Sequence, residues 1–177
     1  MATNRVFKLW VAALLLCLGA GCAWMNLAAD YDPVLDSQTS TLHQDTETFF
    51  TQIQDAIGTP GFDFSRHQDF YSSAAGRTKA LLTRADLQEE GLKSTPLTDN
   101  YQSLLKQYQE LQGAHQRQSA KITSLQDEGN EIGLEKYEQG LKRYWDSSLK
   151  AFQQSFRSII EHLMVLKGIL EERTSSS

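Results

Sequence analysis

From Tyr31 onwards, apolar and polar positions alternate with the period of an amphipathic helix, and no stretch follows the two-residue period of a strand. Asp32 before Pro33 predicts a helix start, because aspartate accepts from free N–H groups and proline at the first helical position lacks a donor that would be unpaired anyway. Leu35, Thr39, Leu42, Thr46, Phe49, Ile53 and Ala56 then step by four and three, and Gly58 and Pro60 stop the run. A second helix is predicted from Ser65, as a capping box with Gln68, through Phe70, Tyr71, Ala74, Thr78, Leu81, Leu82 and Ala85 until it fades near Gly91. A third begins around Pro96 and carries Tyr101, Leu104, Leu105, Tyr108, Leu111, His115, Gln118, Ile122 and Leu125. The last and longest follows Gly129 and Gly133, with Leu134, Tyr137, Leu141, Tyr144, Ser148, Phe152, Phe156, Ile159, Leu163, Leu166 and Leu170 along one stripe. Gly113 and Gly140 each cost about 1 kcal/mol within a helix, so a break is possible at either. Short connections between such helices predict an all-α fold, an antiparallel up-down bundle of about four helices over residues 33–172. The polar residues 173–177 read as a disordered tail.

The first thirty residues follow a different pattern. Arg5 and Lys8 precede an apolar run, Leu9 to Leu18, which ends in Gly19, Ala20 and Gly21 directly before Cys22. A basic start, a short apolar stretch and small residues at the cut are the parts of an export signal. The stretch LLLCLGAGCAWM resembles the bacterial lipobox, although Gly19 stands where that family usually has leucine. The resemblance implies that residues 1–21 are a signal peptide and that Cys22 receives a diacylglycerol on sulfur, becomes the mature N-terminus and is acylated again on its amino group. Residues 22–32 would then be a lipid-attached tether. Cys17, with Leu16 before it in mid-run, reads as an ordinary signal residue. The competing possibilities are a plain cleaved signal and an uncleaved anchor, since Leu9 to Ala29 is uncharged and long enough to cross a bilayer. For either form of anchor, Arg5 and Lys8 stay in the cytoplasm and Asp30 onwards is exported. Ala23 after the cysteine points to the outer membrane under the enterobacterial sorting rule.

Removing 21 of the 177 residues leaves 156, which suits one domain. The same cut takes Arg5 and Lys8 and lowers the 17 basic residues to 15 against 22 acidic ones, a net charge of −7. Such a balance argues against nucleic acid as a partner, since its binding needs clustered Lys and Arg. With Cys22 acylated and Cys17 discarded, no disulfide can form, and packing alone must hold the domain.

Candidate chemistry is sparse. A carboxylate-bridged di-metal site needs Glu-x-x-His pairs on facing helices, and no histidine here has glutamate three places before it. Cys-x-x-Cys-His, Gly-x-Ser-x-Gly, His-Glu-x-x-His and phosphate-cradling glycine loops are absent from the sequence. His43 with Glu47 and Asp63 with His67 are spaced as surface pairs. His115, the only histidine on an apolar seam, reads as a half-buried residue with a hydrogen-bond partner, and His162 beside Glu161 as solvated. Phe49, Phe70, Tyr101, Tyr108, Tyr137, Tyr144, Trp145, Phe152 and Phe156 fall at helical spacing and read as core, or, more sharply, as the lining of a hydrophobic ligand pocket. No catalytic, cofactor or metal residue is assigned. The only assigned site is lipid attachment at Cys22.

The segment YDPVLDSQTSTLHQDTETFF after the lipobox, with the aromatic run YEQGLKRYWDSSLKAFQQSF, resembles small helical lipoproteins of Gram-negative bacteria. That resemblance implies export and helices, and carries over no activity and no active-site residue. The expectation is a lipid-anchored bundle of the cell envelope, facing the periplasm, that acts as a non-catalytic interaction or structural module through a protein partner or self-association. The alternative is a small-molecule or metal-binding bundle, a sensor or carrier. Part of the wide apolar face from Ile159 to Leu170 is the expected partner surface or dimer seam, the alternative being that the first and third helices enclose it.

Overall fold

The computed structural model describes residues 31–89 and 96–175, and over them the chain is helical without a strand. Helix α1 spans Pro33–Ala56, with the Asp32 side chain accepting from the Val34 N–H at 2.9 Å and proline at the first position. Its seam is the one the spacing predicts: Leu35, Thr39, Leu42, Thr46, Phe49 and Ile53 are buried, joined by Phe50. Gly58, at φ 85°, turns the chain out of the helix.

The entry to α2 (Gln68–Glu89) departs from expectation. Two 3₁₀ turns, Pro60–Phe62 and Phe64–His67, lead straight into it. Asp63, not Ser65, is the cap, since its carboxylate accepts from the Ser65 N–H at 2.7 Å. Ser65 therefore already lies inside the turn, and no capping box forms with Gln68. The second helix buries Tyr71, Ala74, Thr78, Leu81 and Ala85, and then Glu89.

That buried glutamate starts the next helix. Helix α3 (Pro96–Asp127) has Leu97 and Thr98 N–H groups donating to the two carboxylate oxygens of Glu89 at 3.1 and 3.0 Å. The first N–H groups of a helix have no partner within it, and here a residue of the preceding helix supplies one from across the connection. Glu89→Ala should lower stability by about 1–2 kcal/mol through loss of this cap, while Glu89→Gln, which keeps one acceptor, should lose less. Chemical denaturation of the two variants measures both.

Helix α4 (Glu131–Ser175) is 45 residues, about 68 Å long. It begins before Gly133, because Asn130 accepts from the Gly133 N–H at 3.0 Å and sets that glycine in the first turn. Both α3 and α4 run unbroken through Gly113 and Gly140. Of the expected tail at 173–177, residues 173–175 continue the helix as far as Ser175, and the last two residues lie outside the described ones.

Four helices thus make the bundle. Asp45–Arg77 and Asp32–Arg84 join α1 to α2, Tyr71–His115 joins α2 to α3, Gln107–Ser155 and Gln118–Trp145 join α3 to α4, and Glu47–Gln153 joins α4 back to α1. In the contacts between α1 and α2 and between α3 and α4, residue numbers rise on one helix as they fall on the other. The inward row of α4 keeps a strict heptad: Trp145, Phe152, Ile159 and Leu166 are all buried. Tyr144, which the sequence stripe places inside, is 39% exposed, and Trp145 takes its place at 0%.

Candidate functional site

The densest constellation lies where the α1–α2 connection crosses α3. His115 is fully buried among the rings of Phe62, Trp145, His67 and Phe64, with centroids 4.7, 5.2, 5.5 and 5.6 Å away. Its Nε2 lies 2.9 Å from the Phe62 carbonyl, which can only accept, so Nε2 carries the proton. Nδ1 then accepts from the Tyr71 hydroxyl at 2.9 Å. Burial pushes the His115 pKa down to about 4, against a smaller upward pull from the Phe62 carbonyl. Burial likewise holds the Tyr71 hydroxyl in its neutral, donating form by raising its pKa far above the usual phenol range. The ring is thus a neutral strut pinning the 59–67 connection to α3. The Phe64 N–H, donating to Ser119 Oγ at 3.2 Å, adds a second fastening.

His67 also turns to the backbone, its Nε2 lying 2.8 Å from the Gly61 carbonyl. Its expected pairing with Asp63 is not made, because Asp63 is engaged as the cap of the turn. Hydrogen bonds from the Ser65 hydroxyl and N–H hold the Asp63 carboxyl below the usual range. Two inward histidines on adjacent elements are the pattern that favours a metal or ligand, yet both nitrogens of His115 and Nε2 of His67 are bonded to protein. Among the described residues, no group of three or more His, Cys, Asp and Glu is placed to hold a metal ion.

A second polar device crosses the core diagonally. The Thr39 and Thr46 hydroxyls donate to the carbonyls of Leu35 and Leu42, both at 2.6 Å, so each must accept from its partner, Tyr101 or Tyr108. Burial pushes the Tyr101 hydroxyl up to about 12 despite the opposing Thr39 contact. The core aromatics fill space: Phe49 stacks on Phe70 at 3.7 Å, and Phe152 packs on Phe50 and Tyr108 at 5.4 and 4.8 Å. His43 lies on Phe156 at 4.6 Å, and its Nε2 is 3.4 Å from Glu47, the surface pair that the spacing predicts. His162 is half-buried, with Glu161 beside it exposed.

The lower part of α4 divides the apolar face expected from Ile159 to Leu170. Ile159, Leu163 and Leu166 are buried by neighbours, Ile160 and Ile169 are half-buried, and Met164 and Val165 remain 66% and 59% exposed. Val34, Leu87 and Leu170 are also exposed. These side chains share one end of the bundle. Asp32 pairs with Arg84 there, and Tyr31 feels the charge of Glu171. Burial tends to raise the Asp32 carboxyl, but the Arg84 guanidinium and the Val34 N–H outweigh it and hold it low. Cys22, Cys17 and the apolar run lie outside the described residues. Among the described residues no helix is long and apolar enough to cross a membrane. The likeness that the sequence bears to small helical lipoproteins therefore stands on residue pattern alone: no family model, no curated protein and no solved structure matches this chain.

Proposed function

We propose that this protein is a lipid-anchored helical bundle of the bacterial envelope, held through Cys22, facing the periplasm from the outer membrane and acting as a non-catalytic interaction or structural module. The observation that carries the reading is the gathering of exposed Val34, Leu87, Met164, Val165 and Leu170 at the end where residues 1–30 join the bundle. We read this group of uncovered apolar side chains at one end as a contact surface, with Ile132, exposed in the first turn of α4, outside it. Ten residues separate Cys22 from Pro33 and span at most about 35 Å, so this end is tethered close to the lipid. Two acyl signals suffice for a firm hold without a spanning helix.

Mass spectrometry of the mature N-terminus tests the anchor. A diacylated Cys22 is expected, with Cys22→Ala leaving an unprocessed precursor or a released domain; residues 1–20 still attached in the membrane form would instead mean a spanning anchor. Charging the exposed pair as Met164→Glu with Val165→Glu should abolish association in crosslinked cells while leaving the melting behaviour nearly unchanged. If the double variant unfolds, that face is core and not contact surface.

A further inference from the structure

The outward face of α4 carries a row of cations at heptad spacing: Lys136, Arg143, Lys150 and Arg157, all exposed. The row covers 22 residues, about 32 Å of helix. Lys150 bonds Asp146 at 2.8 Å, whereas Lys136, Arg143 and Arg157 form no ion pair among the described residues. In a chain of net charge −5 such alignment concentrates positive charge on one face, with Asp146 on Lys150 and Glu161 in the hollow shared with Arg157 as the carboxylates against the row.

Beside the row, on the α3 side, runs an open groove of about 470 Å³ between Gln118 of α3 and Gly133, Tyr137, Gly140, Leu141 and Tyr144 of α4, with Lys136 on its rim. A further hollow continues it past Tyr144, between Gln107, Glu110 and Leu111 of α3 and Ser148, Ala151 and Phe152 of α4, with the Glu110 carboxylate on the side away from the cation row. At Gly140 a Cβ would meet nothing within 4 Å, so the floor lies open to an approaching backbone. An apolar track flanked along one side by cations every seven residues has the chemistry of a seat for an amphipathic helix. A straight helix drifts about 20° per heptad, and a partner wound left-handed around α4 would stay in register with the row.

We propose that this face docks an acidic amphipathic helix of a partner protein, its apolar side in the groove beside Tyr137 and Tyr144 and its carboxylates on Lys136, Arg143, Lys150 and Arg157. Complementary charge pattern selects this occupant: a second copy has no row of three or more carboxylates at seven-residue spacing to lay along the cations. The proposal deepens and rests on the interaction-module reading, but uses a different surface from the tether end.

The test takes the full chain in detergent and a labelled synthetic helix of about 24 residues, long enough to span the row, with glutamate at every seventh position and leucine and alanine on the adjoining face. A peptide of the same composition with its glutamates out of phase is the control. Fluorescence anisotropy should show the in-phase peptide binding about tenfold more tightly than the control, with the advantage lost in Lys136→Glu/Arg143→Glu/Arg157→Glu. Gly140→Leu, whose Cβ would meet nothing within 4 Å, should occupy the groove and weaken binding similarly while circular dichroism stays unchanged. Equal binding of the two peptides, or undiminished binding to Gly140→Leu, overturns the proposal. So does a groove-dependent dimer of the full chain, or binding through the row only to anionic phospholipid vesicles. The Met164→Glu/Val165→Glu variant separates the two ideas: if it alone abolishes association in cells and the α4 variants do not, the interaction module stands and this seat fails.

Discussion

Trp145→Ala should lower the stability of the bundle by about 3–5 kcal/mol, the cost of deleting a large buried aromatic. Trp145 is fully buried where the elements meet: its ring lies 5.7 Å from Phe50 of α1, 5.9 Å from Phe62 of the connection and 5.2 Å from His115 of α3. Its indole N–H donates to Gln118 at 2.9 Å, so truncation also strands an amide oxygen. A two-state domain of this size should lose on the order of 10 °C in melting temperature. Tyr144→Ala, one residue earlier and exposed, should change stability by less than about 0.5 kcal/mol. Urea denaturation of the pair decides the register of α4, and a loss below about 1 kcal/mol for Trp145→Ala would mean that the heptad row is wrongly placed.

Acid should destabilise the bundle through His115, starting well above the carboxylate range. The folded pKa is about 4, while the unfolded imidazole titrates near its ordinary value of about 6.5. Between these values the unfolded chain takes up a proton that the folded chain refuses, so stability falls as pH falls. Its contribution is fully present above pH about 6.5 and declines by roughly 1.4 kcal/mol per pH unit, to a total loss of about 3 kcal/mol near pH 4. Asp32 and Asp63, whose pKa values are also depressed, carry the decline on below that window. His115→Gln should flatten the slope between pH 6.5 and 4.5 while leaving the more acidic limb. A wild-type stability unchanged over that interval would contradict the neutral, buried strut.

The fold was legible where burial follows a simple period. The four-and-three stepping from Leu35 to Ile53 identifies the inward side of α1 because its neighbours cover it evenly along its length. At Tyr144 and Trp145 two adjacent aromatics both fit a stripe that starts at Leu141, and only the unbroken heptad from Trp145 to Leu166 separates them. Glu89 was not legible at all. A glutamate near the end of a polar helix reads as solvated, and its burial depends on where the first turn of α3 comes to rest, which local pattern does not contain. The same holds for the turn that leads into α2: Asp63 and Ser65 are both good cap residues, and Asp63 caps the 3₁₀ turn Phe64–His67 within a connection that the His115 strut ties down. At the candidate seat on α4 the cation row was present in the sequence, but its meaning depends on the groove beside it, which exists only once α3 and α4 are packed.

Length changes in this chain must come in matched pairs. Thr39 and Thr46 lie seven residues apart on α1, and their partners Tyr101 and Tyr108 lie seven apart on α3, so each pair spans the same 62 positions. Deleting one heptad from α1 alone would bring a single threonine to a single tyrosine and leave the other tyrosine hydroxyl buried without an acceptor, at about 1–3 kcal/mol. Deleting any other number of residues between the two threonines would put them out of step with Tyr101 and Tyr108 and break at least one pair. A heptad lost from α1 and α3 together leaves the remaining pair intact, whereas residues added in the Glu128–Asn130 turn touch neither. Descendants of this sequence should therefore vary freely in the length of that turn, and in α1 and α3 only by sevens and only in step.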